Sequence, residues 1–409
     1  MNDAVIERIA REDPAIGSRS DTADEVLARV LHEIDRAGQS RARDPVRRRL
    51  GRVAAPAAAA PAAAALVTVA VAVAAIGLLG HQSRLSSSTA PPTHPVRAIA
   101  LGSVRLAPGT EALLAHGRSL WVAGAHSLAQ LNPLTGAVEA NIQLPIEGLA
   151  DGVAFGAGSV WVASGGANTG SAPSLVRIDP ANGRILAAID VTGSRGRRLR
   201  VLNGGISFAA GRVWLSRDTT ASRGDVVSVD PAGERLDGRP VPVGTGPTTL
   251  LAAFGSLWVE NTGLTVGVKP APALPASVSR IDPRTRQSTT EPFAGAPSAG
   301  FGSLWVRDDN TVTRINPATG RAIARIQVRG VLAVAFGDGR VWAVSQPDDT
   351  SHPNGSTATL IQIDPRSNRI VGTPSHLQPS QPIAITVSGH DLWIADYHGG
   401  LLHFKLTLS

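Results

Sequence analysis

The stretch FGSLWVRDDNTVTRINPATGR, residues 301–321, decides the fold, because variants of it recur along the chain. A Gly-Ser pair leads into Leu-Trp-Val, a short polar segment follows, and Arg-Ile-Asn-Pro-Ala-Thr-Gly closes the unit. Apolar residues flanking Trp305 between turn signals predict a strand. Asn316-Pro317 and Gly320 carry turn chemistry: Pro presets φ, Asn bonds its own backbone, and Gly takes positive φ.

All seven tryptophans belong to such copies: Trp121, Trp161, Trp214, Trp258, Trp305, Trp342 and Trp393, at steps of 40, 53, 44, 47, 37 and 51 residues. Around them stand RSLWVA, GSVWVA, GRVWLS, GSLWVE, GSLWVR, GRVWAV and HDLWIA. Downstream of the first six come AQLNPLTG, VRIDPANG, VSVDPAG, SRIDPRTR, TRINPATG and IQIDPRSN. Each copy parses as four strands: an apolar strand, the Trp strand, the Asp/Asn-Pro strand and a more polar fourth. Four-stranded units of this length are propeller blades. The expected fold is therefore all-β, a seven-bladed β-propeller over residues 96–409. The seventh copy ends in LLHFKLTLS without a fourth strand, while RAIALGSVRL, residues 97–106, precedes the first. That strand is expected to pair with Leu401 to Leu406 and close the ring, removing an open edge.

The Gly-Ser-Leu-Trp-Val strands and Arg-Ile-Asp-Pro-Ala-Thr-Gly turns resemble those of YVTN/NHL-type bacterial propellers, and the repeats are similar to those of streptogramin B (virginiamycin B) lyase. The resemblance covers residues 96–409. The lyase likeness implies a His, with acids holding magnesium at the propeller mouth, and an acid three residues after each Trp. Here that position holds Gly124, Ser164, Arg217, Asn261, Asp308, Ser345 and Asp396, so only two copies match.

The rest of the chain differs in kind. Within residues 1–52, Ala23, Val26, Leu27, Val30, Leu31 and Ile34 recur at helical steps, with Ser20 and Asp21 as caps. RARDPVRRRLGR (41–52) then precedes residues 53–80, which carry no charge, and Ala62–Gly80 is almost purely apolar. Nineteen residues at about 1.5 Å each span the hydrocarbon core of roughly 30 Å. The arginine cluster on its N-terminal side predicts a cytoplasmic tail and an extracytoplasmic propeller. The expected layout is a short, partly helical cytoplasmic tail (1–52), a single transmembrane helix (53–80), a Ser/Thr/Pro linker (81–95) and the propeller at the cell membrane. This layout is similar to that of membrane-bound anti-sigma factors and sensors.

Composition removes some classes. No Cys is present, so neither disulfides nor Cys-ligated metals are available. The net charge of +7 over 409 residues is spread out, without a basic stripe interleaved with aromatics, and nucleic acid is not an expected partner. No Walker loop, Gly-x-Ser-x-Gly elbow or His-Glu-x-x-His helix occurs.

Candidate site residues lie where the copies differ. The connections from second to third strand and from fourth to first share one face of a propeller, and here they vary in length: 165–174, 194–205, RDTTASRGD (217–225), 261–277 and 345–359. On that face Arg195, Arg197, Arg198 and Arg200 could grip an anion, since guanidinium forks match carboxylate and phosphate. Asp308 and Asp309 sit in an unusually short connection. His126 and His398 each lie five residues after a Trp, in the first and last blades, with Asp396 beside one of them. Two His and an Asp could hold a divalent metal or do acid–base work; no other cofactor is implied. The tryptophans read as blade packing. The expected function is a non-catalytic binding or sensing module for an extracytoplasmic protein, peptide or glycan. It is anchored through residues 62–80, with residues 1–52 open to a cytoplasmic protein partner. A metal-assisted, lyase-like enzyme is the alternative.

Overall fold

The computed structural model describes residues 96–106, 109–146, 149–165, 174–191, 205–220, 223–264, 274–347, 357–377 and 381–408. The expected tail, membrane helix and linker (1–95), and Arg195, Arg197, Arg198 and Arg200, lie outside them. No helix occurs among the described residues, so none there is long and apolar enough to cross a membrane.

The described chain forms seven four-stranded antiparallel sheets. Blade 1 is β2 (Thr110–His116), β3 (Ser119–Gly124), β4 (Ser127–Leu131) and β5 (Val138–Gln143), innermost strand first. Blade 2 is β6 (Leu149–Gly156), β7 (Ser159–Gly165), β8 (Ser174–Ile178) and β9 (Ile185–Asp190). Blade 3 comprises β10 (Ile206–Ala209), β11 (Arg212–Thr220), β12 (Arg223–Asp230) and β13 (Arg235–Val243). Blade 4 holds β14 (Pro247–Ala253), β15 (Ser256–Asn261), β16 (Ser277–Ile281) and β17 (Ser288–Glu291). In blade 5 the strands are β18 (Ala296–Gly300), β19 (Ser303–Arg307), β20 (Thr311–Ile315) and β21 (Ala322–Gln327). Blade 6 contains β22 (Val331–Gly337), β23 (Arg340–Ser345), β24 (Thr359–Asp364) and β25 (Arg369–His376). Blade 7 is β26 (Pro382–Ser388), β27 (Asp391–Asp396), β28 (Gly400–Leu408) and, as its outer strand, β1 (Val96–Arg105). β1 runs antiparallel to β28 from Val96 opposite Leu408 to Arg105 opposite Gly400, so the first and last described strands close one blade.

Seven apolar clusters hold the ring, each formed by two sequential blades, and each contains one Trp. Trp121 packs toward Val153, Val160 and Val176 of blade 2. Trp393 packs toward Leu113, Leu120 and Leu131 of blade 1, which completes the circle. All seven indoles are at most 1% exposed. A buried N–H needs an acceptor, and in five blades the first hairpin supplies it. Trp161, Trp214, Trp258, Trp305 and Trp342 donate to the carbonyl five residues earlier, at 2.9 to 3.2 Å. The turn that aims that carbonyl has two consecutive positive-φ residues: Ala157-Gly158, Ala210-Gly211, Phe254-Gly255, Phe301-Gly302 and Asp338-Gly339. Such a pair gives the two-residue hairpin turn whose twist matches the strands.

The Arg of the Arg-Ile-Asp-Pro segment completes the device. Arg177, Arg280 and Arg314 lie opposite Trp161, Trp258 and Trp305 on the next strand, with guanidinium carbons 5.4, 4.9 and 5.3 Å from the ring centroids. Their Nε groups donate to Ser159, Ser256 and Ser303, the Ser of the Gly-Ser-x-Trp motif. Arg177 and Arg314 also reach the next blade, donating to the carbonyls of Pro231 and Pro365. In blade 3 the residue opposite Trp214 is Ser228, and Arg286 of blade 4 covers that ring instead, at 4.9 Å. Blade 7 substitutes His403, stacked on Trp393 at 3.8 Å and bonded to the buried Asp391 at 2.8 Å; Trp393 itself donates to Pro133 of blade 1.

One sequence expectation is corrected. RDTTASRGD is not a long loop: β11 and β12 continue through it as one hairpin, with Arg217 opposite Asp225 and Thr220 opposite Arg223. The Arg217–Asp225 ion pair, with contacts of 2.8 and 3.0 Å, bridges the two strands where the turn residues suggested a break.

Replacing Trp161 with Ala removes a wholly buried indole and its capped N–H from the blade 2–3 gap. The expected loss is about 3–5 kcal/mol, read as a lowered denaturant midpoint. An unchanged midpoint would refute the packing role.

Candidate functional site

The innermost strands line the axis of the ring, and their N-terminal ends lie beside the C-terminal ends of the Trp strands: Thr110 opposite Gly124, Ala150 opposite Ser164, Pro247 opposite Asn261. This end of the axis opens toward the variable connections. At it, five innermost strands carry a β-bulge: between Thr110 and Ala112, Ala150 and Gly152, Pro247 and Leu250, Val331 and Ala333, and Pro382 and Ala384. A bulge inserts one residue and re-aims its side chain. The inserted positions hold Glu111, Asp151, Thr248 and Thr249, Leu332 and Ile383. The geometry repeats and the chemistry does not.

Glu111 is 7% exposed and Asp151 half-buried. Burial raises the Glu111 pKa to about 7, well above the usual carboxylate range. Asp151 rises to about 8, chiefly through burial, with the Glu111 charge adding to the rise and the amide of Gly165, 2.8 Å from Oδ2, opposing it. In blade 4, Glu260 Oε2 accepts the hydroxyls of Thr248 and Thr249, both at 2.8 Å. Arg307 of blade 5 stands in the fields of Glu260 and Asp309, while burial lowers its pKa. This gap between blades 4 and 5 has a small apolar cluster, Leu251, Trp258 and Val278 against Leu304, Val306 and Ile315, and charge occupies its mouth side.

The candidates read from sequence fare differently. Asp396 is buried, and both its oxygens accept backbone amides, Gln381 on Oδ2 and His398 on Oδ1, each at 2.8 Å. His126 and His398 are exposed; His398 makes an edge contact with Tyr397. No group of three His, Asp or Glu side chains able to hold a metal exists among the described residues, so the expected His126–His398–Asp396 metal trio is not assembled. The Asp396 carboxylate instead holds two backbone amides. Asp308 closes the β19–β20 turn, its Oδ1 accepting the amides of Asn310 and Thr311, and Asp309 is exposed beside it.

Sequence reading passed over Glu111, Asp151, Glu260 and Arg307. The available signal was a charge inside an otherwise apolar strand: TEALLAH and LADGVAFG against PIAITVS and VLAVAFG.

No protein-family model and no curated protein matches the chain. Among solved structures, selenomethionine-substituted virginiamycin B lyase from Staphylococcus aureus is similar, with a TM-score of 0.55 and 16% identity over 76% of this chain and 100% of that one. A catalytically inactive variant of virginiamycin B lyase from Staphylococcus aureus with quinupristin gives a TM-score of 0.54 and 15% identity, over 76% and 99% of the two chains. A chain of a mitotic checkpoint complex gives a TM-score of 0.56 and 12% identity, over 80% and 98%. At these identities the likeness is one of fold.

The raised carboxyls fix a pH dependence. A carboxyl whose pKa is higher folded than unfolded binds more protons in the folded state, so stability falls as pH rises from the unfolded pKa to the folded one. For Glu111 that window runs from 4.5 to about 7. Glu111→Gln removes the ionisation, at about 1.4 kcal/mol per unit of displacement. The variant is expected to melt above the wild type at pH 8.5, with the gap narrowing toward pH 4.5. A gap independent of pH would contradict the burial of that carboxyl.

Proposed function

We propose that the chain is a membrane-anchored, extracytoplasmic binding or sensing module that takes its ligand at the bulge-lined mouth of the propeller. The observation that carries this reading is the ring of inserted positions. One backbone feature recurs in five blades, and its side chains differ: Glu111, Asp151, Thr248 with Thr249, Leu332, and Ile383, which packs inward. A repeated scaffold that varies its side chains at one rim is the usual setting of a binding site.

The anchoring rests on the uncharged run of residues 62–80 and the arginines before it, with a protein, peptide or glycan outside and a protein partner for residues 1–52 inside. A non-catalytic role fits the committed state of the mouth groups: Asp396 serves two amides, Glu260 two hydroxyls, and Arg217 pairs with Asp225. The virginiamycin B lyases share the fold and leave a lyase-like activity as the alternative, which no arrangement among the described residues favours.

Tyr397 and Phe254 are both 43% exposed and stand at opposite ends of the blades, after a Trp strand and at a first hairpin turn. A photo-crosslinking residue placed in the full chain in its native membrane is expected to capture the ligand from position 397 and not from position 254. Capture from 254 alone, or from neither, overturns the mouth assignment. Cleavage of the propeller by protease added outside intact cells tests the orientation, and complete protection would reverse it.

A further inference from the structure

Glu111 is out of place on stability grounds. The equivalent inserted residue in blade 7, Ile383, is 4% exposed and packs into the cluster between blades 7 and 1. Blade 6 places Leu332 there. The bulge thus accommodates an apolar side chain, and blade 1 instead buries a carboxyl. That carboxyl has no hydrogen-bond or ion-pair partner among the described residues. Its own charge acts on a second acid, Asp151, at the same bulge of the adjacent blade. A side chain this buried without a protein donor recovers only part of its lost hydration, and its charge makes Asp151 harder to ionise.

From this geometry we infer that Glu111 and Asp151 form a two-carboxylate cradle for an organic ammonium ion, the cationic end of the ligand taken at the mouth. This rests on the binding-module reading above and deepens it. An ammonium brings three N–H donors and one positive charge to a pair of carboxyls whose single protein donor is the Gly165 amide on Asp151. Asp151 is pre-aligned by the Gly165 amide, while Glu111 is left with its acceptor capacity open. A divalent metal is the other cation to weigh. Two carboxylates without a third His, Asp or Glu among the described residues make an incomplete protein ligand set.

Few other charges act on the pair. Among the strands packed on β2 and β6, neither β3, β7, β10 nor β26 carries a titratable side chain. β27 contributes Asp396, already bonded to two amides, and Asp391 at its far end, paired with His403 and Lys405. His116 lies at the opposite end of β2, stacked on Phe155 at 3.5 Å. Because both carboxyls hold protons up to about pH 7 and about pH 8, cation binding displaces protons and strengthens as pH rises.

The test uses the full-length protein and n-butylammonium as probe, with sodium chloride at equal ionic strength as control, followed by calorimetry in two buffers of different ionisation enthalpy. Saturable binding is expected at pH 8.5, with proton release that differs between the buffers, and weakening of roughly tenfold or more at pH 6. Glu111→Gln and Asp151→Asn should each abolish it. Glu111→Leu, which copies the residue of blade 6, should abolish it while keeping the wild-type fold by circular dichroism. Binding that survives Glu111→Leu overturns the cradle, as does Mg²⁺ or Ca²⁺ binding tighter than the amine in a Glu111-dependent way. If the amine fails to bind while position 397 still captures a ligand, the cradle falls and the binding module stands. If both fail, the module reading falls too.

Discussion

An indole N–H shut between two sheets needs an acceptor where water does not reach, and the architecture follows from meeting that need at six of the seven gaps. Leaving such a donor unpaired costs on the order of 1–3 kcal/mol. The chain meets it with a turn whose two positive-φ residues aim a carbonyl back at the ring. In blades 2, 4 and 5 the Arg on the facing strand then lies over the face of the indole and fixes its Nε on the Ser before the Trp, and in blades 2 and 5 it reaches the Asp-Pro turn of the next blade. Gly-Ser-x-Trp and Arg-Ile-Asp-Pro are therefore two halves of one latch. Where the ring closes the latch changes hands: Trp393 donates to blade 1 directly, and His403 with Asp391 stands in for Arg and Ser.

That division of labour frees one end of the axis. Packing and hydrogen bonding of the latch are spent toward the short turns, at the start of each Trp strand. The mouth-side ends of the same strands bear no part of it, and there the blades diverge. Blades 1 and 2 present acids, blade 4 a Glu held by two Thr hydroxyls, and blade 5 a half-buried Arg. Charge gathers where the apolar contacts between blades thin out, most visibly between blades 4 and 5.

The all-β fold and its blade count were legible in the sequence because each half of the latch is local: Ser stands two residues before Trp, and Arg two before Asp-Pro or Asn-Pro, in blades 2, 4 and 5. The blade 3 hairpin was not, because Asp, Ser and Gly between 217 and 225 read as a loop, while the Arg217–Asp225 pair that extends the strands is a cross-strand contact. The mouth acids were hidden for a different reason. In TEALLAH an unbroken alternation would put Glu111 on the same face as Leu113. A bulge inserts one residue and shifts the face of everything before it. A period-two reading cannot see that shift, so Glu111 looked like an ordinary polar position and Asp396, after a Trp, looked more available than it is.

The comparison between Glu111 and Ile383 isolates what the fold requires from what it tolerates. Same bulge, same place between neighbouring blades, one side chain apolar and one ionisable. Filling the site with a hydrocarbon would gain burial at roughly 25 cal/mol per Å², whereas the carboxyl gains nothing from the hydrogen bonds it lacks and draws a second acid into an unfavourable field. Both choices leave the blade intact because the latch, on the other side of the strand pair, carries the interface. A destabilising group is thus confined to the part of the blade that can bear it, and that confinement is the physical reason the mouth, and not the Trp motif, is where this propeller's chemistry lies.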